Sequence, residues 1–236
     1  MINLVLIDDH VMIHDAVRFQ LAGLPDIALV GTGTSGEEIE PLIERYQPDV
    51  MLIDLSIPPF VETSVRTAGR YPVLPAIRRL RKQYLATKFL ILSGDVTDVL
   101  LEAALEAGVV GYLLKDDGMS QCLPQALRAV VGGGLFFSPE ISRRIFEMHA
   151  TDTNSGQARA ILTPRQIDVL EIIVRNPNRP YAEHARKMGI SVSTFRNHMR
   201  SIFEALDVPN VASAIIRAIQ LGVLPLELLF PVDKGS

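Results

Sequence analysis

The chain has 236 residues, enough for one or two domains, and its 48% hydrophobic and 21% charged content is that of an ordinary globular protein. One cysteine, Cys122, excludes an intrachain disulfide, and no apolar run reaches the ~18 residues of a membrane span. The net charge of −4 is uneven: residues 1–150 hold 13 Lys+Arg against 19 Asp+Glu, and residues 151–236 hold 10 against 8, so the second part is mildly basic and permits a nucleic-acid partner without demanding one.

The opening MINLVLIDDH has no basic n-region and meets Asp8 and Asp9 early, so no signal peptide is expected and a cytoplasmic location is. The first apolar run, 3–8, ends in that acidic pair, and a helical pattern covers 10–22. The second run, 27–32, leads into Gly31-Thr32-Gly33-Thr34-Ser35-Gly36 and a helix over 36–46. This is a formal G-x-G-x-x-G, with Asp54 about 20 residues on, as a dinucleotide site wants. It follows the second strand, however, where such a fingerprint belongs on the first strand of its unit. Further runs at 49–54, 88–93 and 110–115 alternate with helical patterns at 73–84, 96–107 and near 119–131. Five strands alternating with helices predict an α/β domain over 1–134, a doubly wound, five-stranded parallel sheet. Polar residues 149–160 mark a linker, taken as 135–160, and the pattern from Leu162 to Leu224 is purely helical. Residues 225–236 form a tail in which Leu228, Leu229 and Phe230 are candidates for docking on the body or on a partner.

In open parallel sheets, function collects at the carboxyl ends of strands. Those ends carry Asp8 and Asp9, Asp54, Ser93 and Lys115. Three carboxylates at one edge repel one another, a divalent cation such as Mg²⁺ relieves that repulsion, and a carboxylate beside the cation is a candidate phosphoryl acceptor. The dinucleotide reading leaves Asp8, Asp9, Ser93 and Lys115 unexplained. An aspartyl-nucleophile phosphohydrolase wants a second acid two residues after the nucleophile, where this chain has Ser56.

LIDDH, LIDLSIP, LSG and GYLLKD, in this order at these strands, resemble the motifs of the response-regulator receiver family over about residues 1–130. The resemblance implies that Asp54 is the phosphoacceptor. It implies that Asp8, Asp9 and the Ser56 backbone carbonyl join Asp54 around Mg²⁺. Ser93 would engage the phosphoryl group, Lys115 would pair with it, and Tyr112 would be the switch aromatic. The chain departs from the family after Pro58, where residues 59–75 make a connection about ten residues longer than usual, a length at which loops are generally functional or disordered.

In the helical part, Thr163 and Gln166 form a capping box, Pro164 takes the first helical position, and Leu162 is placed to staple to Ile167. A short helix to Met188, a turn at Gly189 and a second helix capped by Ser191 or Ser193 give a helix-turn-helix. Phe195, Met199, Ile202 and Leu206 share the core face of the second helix, leaving Thr194, Arg196, Asn197 and Arg200 to other faces. Arginine and asparagine there suit phosphate and base contacts in a major groove. LTPRQIDVL, SVSTFRNH and AIQLGVL over 162–224 resemble the LuxR/NarL-type DNA-binding domain, which implies that Arg196, Asn197 and Arg200 face DNA. The segment departs at Ala182 and His184, where a lysine and an aliphatic residue are common. After Asn210, a candidate cap, Ala214, Ile215, Ala218 and Ile219 share one side, which the resemblance also offers as a dimer surface.

Together these features predict a two-domain response regulator and transcription factor, not an enzyme. It would be phosphorylated on Asp54 by a sensor histidine kinase with Mg²⁺ and would bind a two-fold DNA site as a homodimer, with no membrane partner. A regulator that works without phosphorylation and a nucleotide-binding enzyme using Gly31–Gly36 are the competing readings.

Overall fold

The computed structural model describes residues 1–61, 69–115, 119–132, 134–149, 161–176, 179, 181–208, 211–225 and 228. The strands β1 (Ile2–Ile7), β2 (Ile27–Gly33), β3 (Val50–Asp54), β4 (Lys88–Ser93), β5 (Gly111–Leu114) and β6 (Phe136–Phe137) form one sheet in the order β2-β1-β3-β4-β5-β6. Every pairing is parallel. The order reverses direction between β1 and β3, so their carboxyl ends flank a crevice, the usual ligand position in such sheets.

Strand residues alternate between two cores, as a period of two requires. Leu4, Leu6, Val50, Leu52, Leu90, Leu92 and Leu113 pack with α1 (Val11–Leu21) and α5 (Met119–Val131). Val5, Ile7, Met51, Ile53, Phe89, Ile91 and Tyr112 face α2 (Ile39–Tyr46), α3 (Val73–Gln83) and α4 (Asp98–Ala107) on the other side. The continuous apolar runs in the sequence are thus strands covered on both faces.

The doubly wound parallel sheet is present, extended by a sixth strand. Residues 136–149, which the sequence places in a linker, carry β6 and α6 (Pro139–His149). Their signal is short: two phenylalanines make the strand, and Pro139 opens the helix at the position proline favours. β6 lies close enough to β5 that a side chain at Gly111 would meet the Phe136 carbonyl at 2.3 Å. Ile141 and Ile145 of α6 are buried in the same core as α4.

The C-terminal unit consists of α7 (Pro164–Arg175), α8 (Tyr181–Lys187), α9 (Val192–Leu206) and α10 (Val211–Gln220). Thr163 and Gln166 make the reciprocal capping bonds, and Leu162 and Ile167 join one core with Phe195, Met199, Ile202, Leu206, Ala214, Ile215 and Ala218. No helix among the described residues is long and apolar enough to cross a membrane. Asn210, Leu229, Phe230 and the middle of the long connection, 62–68, lie outside the described residues.

Candidate functional site

Asp8, one residue past β1, and Asp54, the last of β3, are buried to 0% and 2% exposure. Lys115, following β5, reaches between them: Nζ lies 2.6 Å from Asp8 Oδ2 and 2.9 Å from Asp54 Oδ2. Burial pushes the Lys115 ammonium down, but the hydrogen bonds and charges of Asp54 and Asp8 outweigh it and hold the group above the ordinary lysine value. Breaking such an ion pair by removing one partner costs more than the pair contributes, because a buried charge is left alone. The second oxygen of Asp54, Oδ1, is buried with no hydrogen-bond partner among the described residues. It is a vacant acceptor on the carboxylate that the sequence puts forward as nucleophile.

Asp9 is more open, its side chain 36% exposed, and Ser56 lies in the turn after β3. One ligand atom each from Asp8, Asp9, His10 and Asp54 falls within 4.8 Å of the others. His14 supports this edge from α1: its Nε2 donates to the Asp8 carbonyl at 2.7 Å and the ring is buried. Neither His10 nor His14 is among the sequence-derived site residues. The Asp-Asp-His run was the visible signal for the first; the second sits one helical turn further on the core-facing side of α1.

Ser93 ends β4 and Tyr112 lies on the neighbouring strand, both buried. Both hydroxyls donate to one acceptor, the Asp95 carbonyl, at 2.9 Å and 3.1 Å. Burial raises the Tyr112 phenol pKa, so it stays a donor. The two side chains are therefore tied to the same point of the loop that leads into α4.

The amides of the glycine loop already have acceptors, which adds to the sequence argument against the nucleotide-enzyme reading. A phosphate bound there needs free backbone N–H groups. The Thr34 and Ser35 amides donate to Glu38 Oε2 at 2.7 and 3.0 Å, and the Gly36 and Glu37 amides donate to the Pro58 and Pro59 carbonyls at 2.8 and 3.0 Å. A side chain at Gly36 would fall 2.1 Å from the Tyr71 ring. The Tyr71 amide in turn donates to the Ile57 carbonyl at 2.9 Å. The glycines let the two ends of the long connection pack against the start of α2.

On α9, Ser191 caps the helix by accepting from the Thr194 amide at 3.0 Å. Thr194, Arg196, Asn197 and Arg200 are exposed, opposite the buried Phe195, Met199 and Ile202. His184 backs this helix: it is 1% exposed, its ring stacks 5.9 Å from that of Phe195, and its Nδ1 has no hydrogen-bond partner among the described residues. Burial holds its pKa below the ordinary histidine value of about 6.5. With the native value depressed, its stabilising contribution is full above about pH 6.5 and is lost as pH falls through the native pKa. Thermal melts of the wild type should therefore show an acid-side loss of stability that His184→Leu reduces; identical pH slopes would remove His184 from that role.

Residues 4–127 match the response regulator receiver domain family. The transcriptional regulatory protein DesR of Bacillus subtilis (strain 168) is 30% identical over 94% of this chain and 98% of its own length. The nitrate/nitrite response regulator protein NarL of Escherichia coli (strain K12) is 27% identical over 91% and 93%. A crystal structure of a LuxR-family two-component response regulator from Aurantimonas sp. SI85-9A1 superposes with a TM-score of 0.54 at 26% identity, covering 64% of this chain and 99% of that one. Receiver match, acidic edge and full-length likeness to transcriptional regulators coincide on one chain, which belongs to the response regulators of the LuxR/NarL family.

Proposed function

We propose that this chain is a cytoplasmic transcription factor switched by phosphorylation of Asp54, with a sensor histidine kinase as donor. The observation that carries it is the convergence of Asp8, Asp54 and Lys115 at 2.6–2.9 Å, with the buried Asp54 Oδ1 left unpartnered among the described residues. Asp54 attacks the phosphorus of a phosphohistidine. A P–O bond forms, the P–N bond breaks, and the leaving imidazole takes up a proton. Lys115 already pairs with Asp54 and is placed to hold a phosphoryl oxygen. The donor set suits a divalent cation held by Asp9, Asp54 and the Ser56 carbonyl, with Asp8 beside them; when bound, the ion neutralises charge on the transferring group.

Ser93 and Tyr112 supply the readout. To donate to a phosphoryl oxygen, Ser93 must give up the Asp95 carbonyl that it shares with Tyr112. That carbonyl lies in the loop before α4, and α4 carries the helical unit: the Ser213 hydroxyl on α10 donates to the Leu105 carbonyl at 3.2 Å. Ile216 of α10, 5% exposed, packs in the receiver core beside α4. A shift of α4 therefore loosens α10 and frees it to pair with a second copy, setting two α9 helices on a two-fold DNA site. Arg196, Asn197 and Arg200 are the DNA-facing residues, with Thr194 at the helix start.

The test uses the full chain. Beryllofluoride with Mg²⁺ should raise dimer content and DNA binding together, read by sedimentation and by DNA retardation. Arg200→Ala should weaken DNA binding and lower the slope of log K against log salt by about 0.9 per lost phosphate contact, while leaving beryllofluoride-driven dimerisation intact. If neither dimer content nor DNA binding responds, the phosphorylation-independent reading replaces this one. An unchanged Arg200→Ala variant would mean that another face of α9 meets DNA.

A further inference from the structure

A groove of about 790 Å³ lies between α3 and α4, away from the acidic edge, and the phosphoryl-transfer scheme makes no use of it. Its floor is apolar: Leu74 and Pro75 come from the first turn of α3, and Ala103 and Ala107 from α4. Further along α3 the wall turns basic, with Arg78, Arg79 and Lys82. Arg78 pairs with Glu106 at 3.2 Å and Arg79 with Glu40 at 2.9 Å, whereas Lys82 has no ion-pair partner among the described residues. Apolar surface rimmed by charge is the usual composition of a docking site.

We propose that this groove takes the chain's own C-terminal segment, residues 229–236, LFPVDKGS. Three features favour that occupant. The groove continues an interface that exists: the Ser213 hydroxyl of α10 donates to the Leu105 carbonyl, and Leu105 lies between Ala103 and Ala107 on α4. The segment also starts close enough. The Leu224 amide donates to the Ala218 carbonyl at 3.1 Å, five residues and ~7.5 Å along α10 from Ser213. A turn then bonds the Leu228 amide to the Pro225 carbonyl at 3.2 Å. Beyond Leu228, eight residues reach ~26 Å when extended, which spans the distance back to α4. Finally, the order of chemistry matches. The groove is apolar and then basic, and the segment is apolar from Leu229 to Val232 and then acidic at Asp233. Leu229, Phe230 and Val232 are the side chains for the floor, and Asp233 is the partner for Lys82. Docked there, the segment straps the helical unit to the receiver across the α10–α4 contact.

The test is paramagnetic relaxation enhancement on the full chain, with a nitroxide on Gly235→Cys in a Cys122→Ser background. The amides of Leu74, Lys82, Ala103 and Ala107 should broaden, while those of α1, on the other side of the sheet, should not. Phe230→Ser combined with Val232→Ser should abolish the broadening, because apolar burial supplies most of the contact. Lys82→Glu should reduce it, and adding Asp233→Lys should restore it. Broadening confined to the helical unit, or absent from α3 and α4, would overturn the docking. So would broadening that appears only on an isotope-labelled, nitroxide-free chain mixed with the spin-labelled one, since the segment would then sit on a second copy. Broadening undiminished in Lys82→Glu would overturn the pairing with Asp233.

Discussion

Asp54→Asn should abolish acyl-phosphate formation when the chain is incubated with a phosphoryl donor and a divalent cation, and the expected phosphorylation-dependent gain in DNA binding should disappear with it. The amide is nearly isosteric with the carboxylate but has no anionic oxygen to attack phosphorus, so the loss is complete rather than graded. Lys115 keeps Asp8 as a partner at 2.6 Å, so the variant leaves no unpaired buried ammonium and should fold. Alkali-labile, hydroxylamine-sensitive label read by autoradiography makes the comparison. Label persisting on the variant would move the phosphoacceptor away from Asp54. Basal DNA binding, which the proposed function assigns to α9, should remain at the parent level.

The second large effect lies in the other domain. Phe195 is fully buried behind the exposed face of α9, its ring 5.1 Å from Tyr181 and 5.9 Å from His184. Truncating such a side chain costs about 3–5 kcal/mol. A helical unit of this size has a total stability of about the same order. Phe195→Ala should therefore melt the helical unit under conditions where the receiver, with its own two cores, stays folded. DNA binding should be lost while Asp54 still accepts phosphate. Differential scanning calorimetry resolving two transitions, with only one displaced, is the expected trace. Loss of phosphorylation in the same variant would show that the domains fold as one cooperative unit.

These two outcomes separate because Asp54 and Phe195 belong to different cores, and that division was legible. The alternation of apolar runs with helical patterns marks the sheet, since a strand buried on both faces has no polar side to disguise it. The polar ends of those runs place Asp8, Asp9, Asp54, Ser93 and Lys115 at one edge, because in a parallel sheet all strands run the same way. The spacing of Phe195, Met199, Ile202 and Leu206 likewise marks the buried side of α9, and their exposed neighbours follow from helical geometry alone.

Other elements were not legible, for physical reasons. β6 is two residues long, too short for any period to show. The glycine loop matches a dinucleotide fingerprint letter for letter. Its place after the second strand already told against it; what the sequence did not show is which acceptors take its amides: Glu38 four residues away in sequence, and Pro58 and Pro59 more than twenty away. His14 looks like any helical histidine until its Nε2 is found on the Asp8 carbonyl.

The sequence by itself thus determined the five central strands and their helices, the helices of the C-terminal unit, the acidic edge and the exposed face of α9, because each follows from local periodicity and strand direction. Only the tertiary structure decided what each group is bonded to. It ties Ser93 and Tyr112 to one carbonyl, docks α10 on α4 through Ser213 and Ile216, and sets His10 among the carboxylates. Those contacts join residues far apart in the chain or depend on side-chain placement, and no local pattern records a distance between elements that meet only when the chain folds.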